Sequence, residues 1–242
     1  MERLPEPTLL YEKREGVAWL TLNRPRLLNA INMAMRDELW VLLEALALDD
    51  TVKVVVFRGA GDRAFSAGAD LTEFGTAPSY TEARRARVER DLWRRIAHFE
   101  KPLIAAIHGY ALGAGCELSL LCDFRIASED ARLGLPETHL AYVPTAGGSQ
   151  TLPRTAGLSR ALDMILTAEP ITAQRALDYG ILNAVVPASD LEAAAEALAR
   201  RLIARPETAL RLTKRAMREG ADLPLQDAIR LERRLARRTV TT

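Results

Sequence analysis

Along most of this chain, short apolar runs alternate with segments whose apolar residues recur at helical spacing, and that alternation restricts the fold more than any other feature. Leu9–Arg14 and Val17–Leu22 meet at Glu15-Gly16, a hairpin signal. Lys53–Arg58 closes on Gly59-Ala60-Gly61-Asp62, and Pro102–Ile107, Phe124–Ser128, Arg132–Leu135 and Val185-Val186 read as further strands. Helical spacing links Leu39, Leu42, Leu43 and Leu46 after Met35, and Val88, Leu92, Ile96 and Phe99 across 81–99. Gly113–Leu121, Leu158–Thr167 and Ala173–Tyr179 are helical as well. Strands and helices in alternation with short connections predict an α/β fold. From about residue 190 only helices are predicted, over 190–204, 207–219 and 224–238, opened by Asp190, Pro206 and Pro224. The expected organisation is a core over 1–189 that holds the candidate site, followed by a helical region over 190–242 that packs on something, such as a partner subunit.

Several function classes lose support on composition. A length of 242 residues with 48% hydrophobic content suffices for a full core. The net charge of +1 provides no general attraction to nucleic acid or acidic membranes. No apolar run approaches the ~18 residues of a membrane span, and the first residues, Met-Glu-Arg-Leu-Pro-Glu-Pro, lack the apolar stretch of a secretory signal. Cys116 and Cys122 lie in one apolar helix, where buried reduced thiols are expected, and a cytoplasmic location follows. His98, His108 and His139 lack ligand spacing, so no metal site is expected. Neither a phosphate-loop nor a dinucleotide glycine motif occurs. Arginine-rich segments at 84–95 and 230–238 read as solvated helix faces. The alternative for them is RNA binding through Arg84, Arg87 and Arg94.

What remains is chemistry beside a carbonyl. Gly113 and Gly115 flank the start of an apolar helix, where unpaired N–H groups and the helix dipole favour an anion. The same glycines would equally serve close helix–strand packing. Glu117, surrounded by Cys116, Leu118, Leu120 and Leu121, either complements its helix terminus or faces a cavity. Glu137 follows Pro136 in another turn. Two acids beside such turns point to proton transfer, because carboxyls in a low-dielectric cleft acquire raised, coupled pKa values. In Ser66-Ala67-Gly68-Ala69-Asp70, Ser66 reads as a local turn cap and Asp70 as a cap of the next turn.

At these segments the sequence resembles the enoyl-CoA hydratase/isomerase family, the crotonase superfamily. The likeness runs from about residue 8 to 220 and is sharpest at Asn23-Arg24-Pro25 with Asn29-Ala30, Phe65–Leu71, Gly109–Asp123 and Leu133–Leu152. It implies a crotonase-like β-β-α spiral core with a C-terminal helical region used in homotrimers, which often pair into hexamers. It also implies an enoyl-CoA hydratase, a hydro-lyase of fatty-acid β-oxidation type acting on an acyl-CoA thioester. Coenzyme A is then part of the substrate, and no separate cofactor is needed.

Residue by residue, the resemblance assigns the N–H groups of Ala69 and Ala114 to an oxyanion hole, and Glu117 and Glu137 to base and acid. It assigns substrate contacts to Leu28, Ala30, Ala67, Gly68, Asp70, Leu71, Gly113 and Tyr142. An isomerase using Glu137 alone, or a weakly catalytic RNA-associated relative, are the alternatives. This sequence departs from the family pattern at several places. Ala114 stands where Gly is common, although Ala also carries an N–H. Thr72 replaces a frequent basic residue, so one phosphate contact is expected to be missing. Thr145 and Thr151 replace a usual Gly and Arg, and Tyr142 a smaller side chain near the acyl pocket. The family's last helix, which covers that pocket, is expected to begin about where Thr242 ends this sequence.

Overall fold

The computed structural model describes residues 7–76, 79, 81 and 88–240. Strands β1 (Leu9–Arg14) and β2 (Val17–Leu22) form the expected hairpin, with Glu15 and Gly16 both at positive φ. Positive φ at both central residues matches the twist of paired strands. Next come α1 (Met33–Leu48), β3 (Val54–Gly59), β4 (Ala64–Ser66) and α2 (Leu92–Ala97). They are followed by β5 (Leu103–Ile107), β6 (Tyr110–Leu112), α3 (Ala114–Leu121), β7 (Phe124–Ser128) and β8 (Arg132–Gly134). Then follow α4 (Gly148–Ala156), α5 (Leu158–Thr167), β9 (Ile171–Thr172), α6 (Ala173–Asp178), β10 (Ala184–Val186), α7 (Leu191–Ile203), α8 (Glu207–Gly220) and α9 (Leu225–Val240).

The strands divide between a six-stranded sheet, β1-β2-β3-β5-β7-β10, and a four-stranded one, β4-β6-β8-β9. Consecutive strands alternate between them: β3 then β4, β5 then β6, β7 then β8. Each turn of the chain thus contributes one strand to each sheet, which is a β-β-α spiral. From β2 onwards the larger sheet is parallel. Its central strands are buried on both faces, and β5 (LIAAI) is apolar throughout for that reason. One face packs against α1, α2 and α3 through Leu39, Leu43, Ile96 and Leu118. The other is covered by Leu191, Ala195 and Ala199 of α7.

Two short strands, β6 and β9, escape sequence reading because they are set by pairing rather than by apolar alternation. The helix expected over 81–99 is described only in part. Positions 82–87, with Arg84 and Arg87, lie outside the described residues, and Val88 is exposed where a buried stripe was expected. Asp91 accepts a hydrogen bond from Arg94 N at 3.0 Å and starts a new helix there, so the buried stripe begins at Leu92.

Helix α3 is the best-fixed element near the site. The buried Arg125 guanidinium donates to the carbonyls of Ser119 (3.3 Å) and Cys122 (2.6 Å) at the C-terminal end of the helix and to Ile181 O (2.5 Å), tying that end to the segment before β10. Asp123, just beyond, binds Lys214 at 2.6 Å and Arg218 at 2.9 Å, clamping α8 onto the core. Cys116 and Cys122 are buried free thiols. Among the described residues no helix is long and apolar enough to cross a membrane.

Candidate active site

Three turns of the spiral converge here. The first is 28–31, where Leu28 and Asn29 take positive φ. Asn29 is buried: its Oδ1 accepts from Arg24 N at 2.9 Å, and its Nδ2 donates to Ala60 O and Ala64 O at 2.9 and 2.7 Å. This turn is stitched to the second, 66–70. Ala67 N donates to Leu28 O at 2.8 Å, Ile31 N to Gly68 O at 2.7 Å, and Asp70 N to Ile31 O at 3.0 Å. Ser66 Oγ donates to Asn29 O and accepts from Gly68 N, the local turn role expected of it.

Ile31 and Ala69 form an isolated parallel bridge. In that pattern the bonds belong to the neighbours of Ala69, so its own N–H faces the opposite side. Ala114, the first residue of α3, has an N–H without a partner inside its helix. Among the described residues no other main-chain hydrogen bond takes either group. The two turns abut: a Cβ placed on Gly68 would lie 3.4 Å from Ala114 N. Two free donors therefore sit on adjoining turns, both on half-buried residues.

The two glycines of the α3 turn have different duties. Gly113 takes φ +49, a left-handed conformation that side chains disfavour, and turns the chain into the helix. Gly115 is a packing residue: its added Cβ would lie 2.5 Å from Ser66 O and 2.7 Å from Ser66 Cβ. Both atoms are buried, so Gly115→Ala must push α3 away from β4. A loss of about 2 kcal/mol in unfolding free energy is expected by denaturant titration, and an unchanged midpoint would refute the tight contact.

Glu117 is almost fully buried in the first turn of α3, yet it does not cap its own helix. Its Oε1 accepts from Ala146 N at 2.8 Å and Gly148 N at 2.7 Å. These amides come from the loop before α4 and from its first residue, and sequence reading missed them; Gly147-Gly148 at a helix start was the available signal. Burial lifts the Glu117 carboxyl to about 7; the nearby Glu137 charge adds to the rise, and the two amides oppose it.

Glu137 lies in a 3-10 turn, Pro136–Leu140. Its Oε1 would be 3.1 Å from a Cβ on Gly113, so the carboxyl stands at the N-terminus of the helix that carries Glu117. Its Oε2 is buried without a hydrogen-bond partner. Burial pushes its pKa up too. The arrangement can hold a proton on one carboxyl and accept one on the other, beside two donors suited to a developing oxyanion.

The remaining candidates divide. Gly113 is buried within the cluster, whereas Leu28, Ala30 and Ala67 line its rim half-buried. The Asp70 carboxylate is taken up by Arg24 at 2.8 Å and by Thr72, whose N and Oγ1 donate to it, so it braces the turn and caps the one after. Leu71 is exposed at the edge. Tyr142 N donates to the main-chain O of Glu137 at 3.0 Å, which ties its backbone to the turn that carries that acid, and its ring meets Phe74. Among the described residues no His, Cys, Asp and Glu cluster is arranged to hold a metal ion.

The two-sheet spiral is a crotonase-type α/β fold, as its structural neighbours show. The family model for enoyl-CoA hydratase/isomerase matches residues 12–242. Similar curated proteins include the 2,3-dehydroadipyl-CoA hydratase of Escherichia coli strain K12, 43% identical over 94% of this chain and 88% of the relative. The short-chain-enoyl-CoA hydratase of Clostridium acetobutylicum is 37% identical over 93% of this chain and 86% of its own length. Among solved structures, the enoyl-CoA hydratase of Bacillus anthracis superposes with a TM-score of 0.91 at 38% identity, covering 97% of this chain and 92% of that one. The chain belongs to the enoyl-CoA hydratase/isomerase family.

Proposed function

We propose that this protein is an enoyl-CoA hydratase, which adds water syn across the 2,3 double bond of a trans-2-enoyl-CoA thioester to give the 3-hydroxyacyl-CoA. Hydratase names among its relatives support that class of hydro-lyase. The observation that carries the reading is Glu137 Oε2, a buried carboxyl oxygen without a partner, beside the helix start that also bears Glu117.

In this mechanism the thioester oxygen accepts hydrogen bonds from Ala69 N–H and Ala114 N–H. Each donor stabilises the enolate by ~3–4 kcal/mol, the scale of other oxyanion holes. Glu117 removes a proton from water as its oxygen bonds to C3, and the C2–C3 π electrons move into the enolate. Glu137 then delivers its proton to C2. Leu28, Ala30, Ala67, Gly68, Asp70 and Leu71 line the way in, and no separate cofactor enters the balance. The test is direct: purified protein should bleach the conjugated absorbance of crotonyl-CoA and form the 3-hydroxy product. Full retention of that chromophore across short, medium and branched esters would reject the proposal.

The same reading includes association into trimers or hexamers. Supporting it, Met217, Leu223, Leu225 and Ile229 leave apolar surface exposed on and between the last two helices. Light scattering should give a mass that is a multiple of three times the 26.7 kDa chain, and a stable monomer would refute it.

A further inference from the structure

We propose that Phe74 and Tyr142 form an aromatic bar across the acyl end of the cleft and make the protein select short acyl thioesters over long ones. The inference rests on reading the cleft as an acyl-CoA site. The two rings come from opposite walls and meet with centroids 5.7 Å apart at 48°. On one wall, Phe74 follows the turn Leu71–Glu73, shortly after Ala69, and its N–H donates to Leu71 O at 3.2 Å. That turn is tied down from outside, because Glu73 Oε2 accepts from Met33 N at 2.8 Å.

On the other wall, Tyr142 belongs to a loop fastened at one end to the main chain of Glu137 and at the other to the Glu117 carboxyl. Its own N–H donates to Glu137 O, and Ala146 N–H donates to Glu117 Oε1. Its hydroxyl lies 3.4 Å from Thr145 Oγ1, within the same loop. A thioester carbonyl at the Ala69 and Ala114 amides puts C2 and C3 at the two carboxyls. On this reading the carbons beyond C3 run towards the segments that follow the two turns, Phe74 after Leu71–Glu73 and Tyr142 after Pro136–Leu140, where the rings meet. Phe74 remains half exposed and its ring contact is with Tyr142. A short acyl group ends before this contact. A long one must part the rings or bend into water and forfeit the burial of its methylenes.

Titration calorimetry with saturated butanoyl-CoA and dodecanoyl-CoA tests the bar, because these esters bind without being hydrated. The unmodified protein should bind butanoyl-CoA tighter by about tenfold. Phe74→Ala, and independently Tyr142→Ala from the opposite wall, should bring the two affinities to within about twofold. Tyr142→Phe, which keeps the ring, should retain the original ratio. An unchanged ratio in both alanine variants, a preference of the unmodified protein for dodecanoyl-CoA, or loss of selection in Tyr142→Phe alone would overturn the proposal. Selective binding without any hydration of enoyl esters would leave the bar standing and overturn the hydratase reading; no binding of either ester would overturn both.

Discussion

Glu117→Gln is expected to lower the rate of hydration by about a thousandfold, the scale of a lost general base, while the protein folds normally. The amide oxygen of Gln can still accept from Ala146 N and Gly148 N, so the loop before α4 keeps its anchor. What disappears is the group that takes the proton from water. An isomerase using Glu137 alone would keep double-bond migration in this variant. Full retention of hydration would dismiss Glu117 as the base.

The same substitution should act on stability in the opposite sense. The carboxyl titrates at about 7 in the fold against an ordinary 4.5, chiefly through burial. Between those values the folded state holds a proton that the unfolded chain has released, so stability falls as pH rises through that window and is level above it. The difference corresponds to about 3 kcal/mol once the group is fully ionised. Gln has no such charge, so the variant should match the parent near about pH 4 and exceed it by up to about 3 kcal/mol near about pH 8. In the active protein, hydration should climb as pH rises through about 7, because Glu117 must be ionised to act, and Glu117→Gln should erase that limb. Parallel pH–stability curves for parent and variant would show that the buried carboxyl is not the source of the effect.

Glu137→Gln is expected to reduce hydration by about a hundredfold or more, the loss of a positioned general acid, with acyl-CoA affinity changed little. Its Oε2 has no protein partner to lose. An amide cannot deliver a proton to C2, so enolate formed at the Ala69 and Ala114 amides should revert to substrate. A variant with parental turnover would remove Glu137 from the reaction.

The α/β alternation was legible because burial imposes it: strands such as Leu103–Ile107 are apolar on both faces, and α1 keeps Met35, Leu39, Leu43 and Leu46 on one buried stripe. The likeness at Asn23-Arg24-Pro25, Phe65–Leu71, Gly109–Asp123 and Leu133–Leu152 named the family that the family model and the relatives show. Less legible were β6 and β9, whose two or three residues gain their strand character from partners distant in sequence. The stripe including Val88 failed because Asp91 caps a helix that begins only at Leu92, and Val88 lies before it, exposed.

By itself, the sequence determined most of the longer strands and helices and which turns can bend sharply, since those depend on local propensity and apolar periodicity. It left open whether Gly113 and Gly115 prepare an anion site or a packing contact, and whether Glu117 caps a helix or faces a cavity. Only the tertiary structure decided these. Gly115 packs on Ser66, Gly113 turns the chain beside Glu137, and Glu117 is held by amides of a loop about thirty residues away. The physical reason is that a buried carboxyl must find its hydrogen-bond donors wherever the fold brings them, and no local rule names a donor that distant.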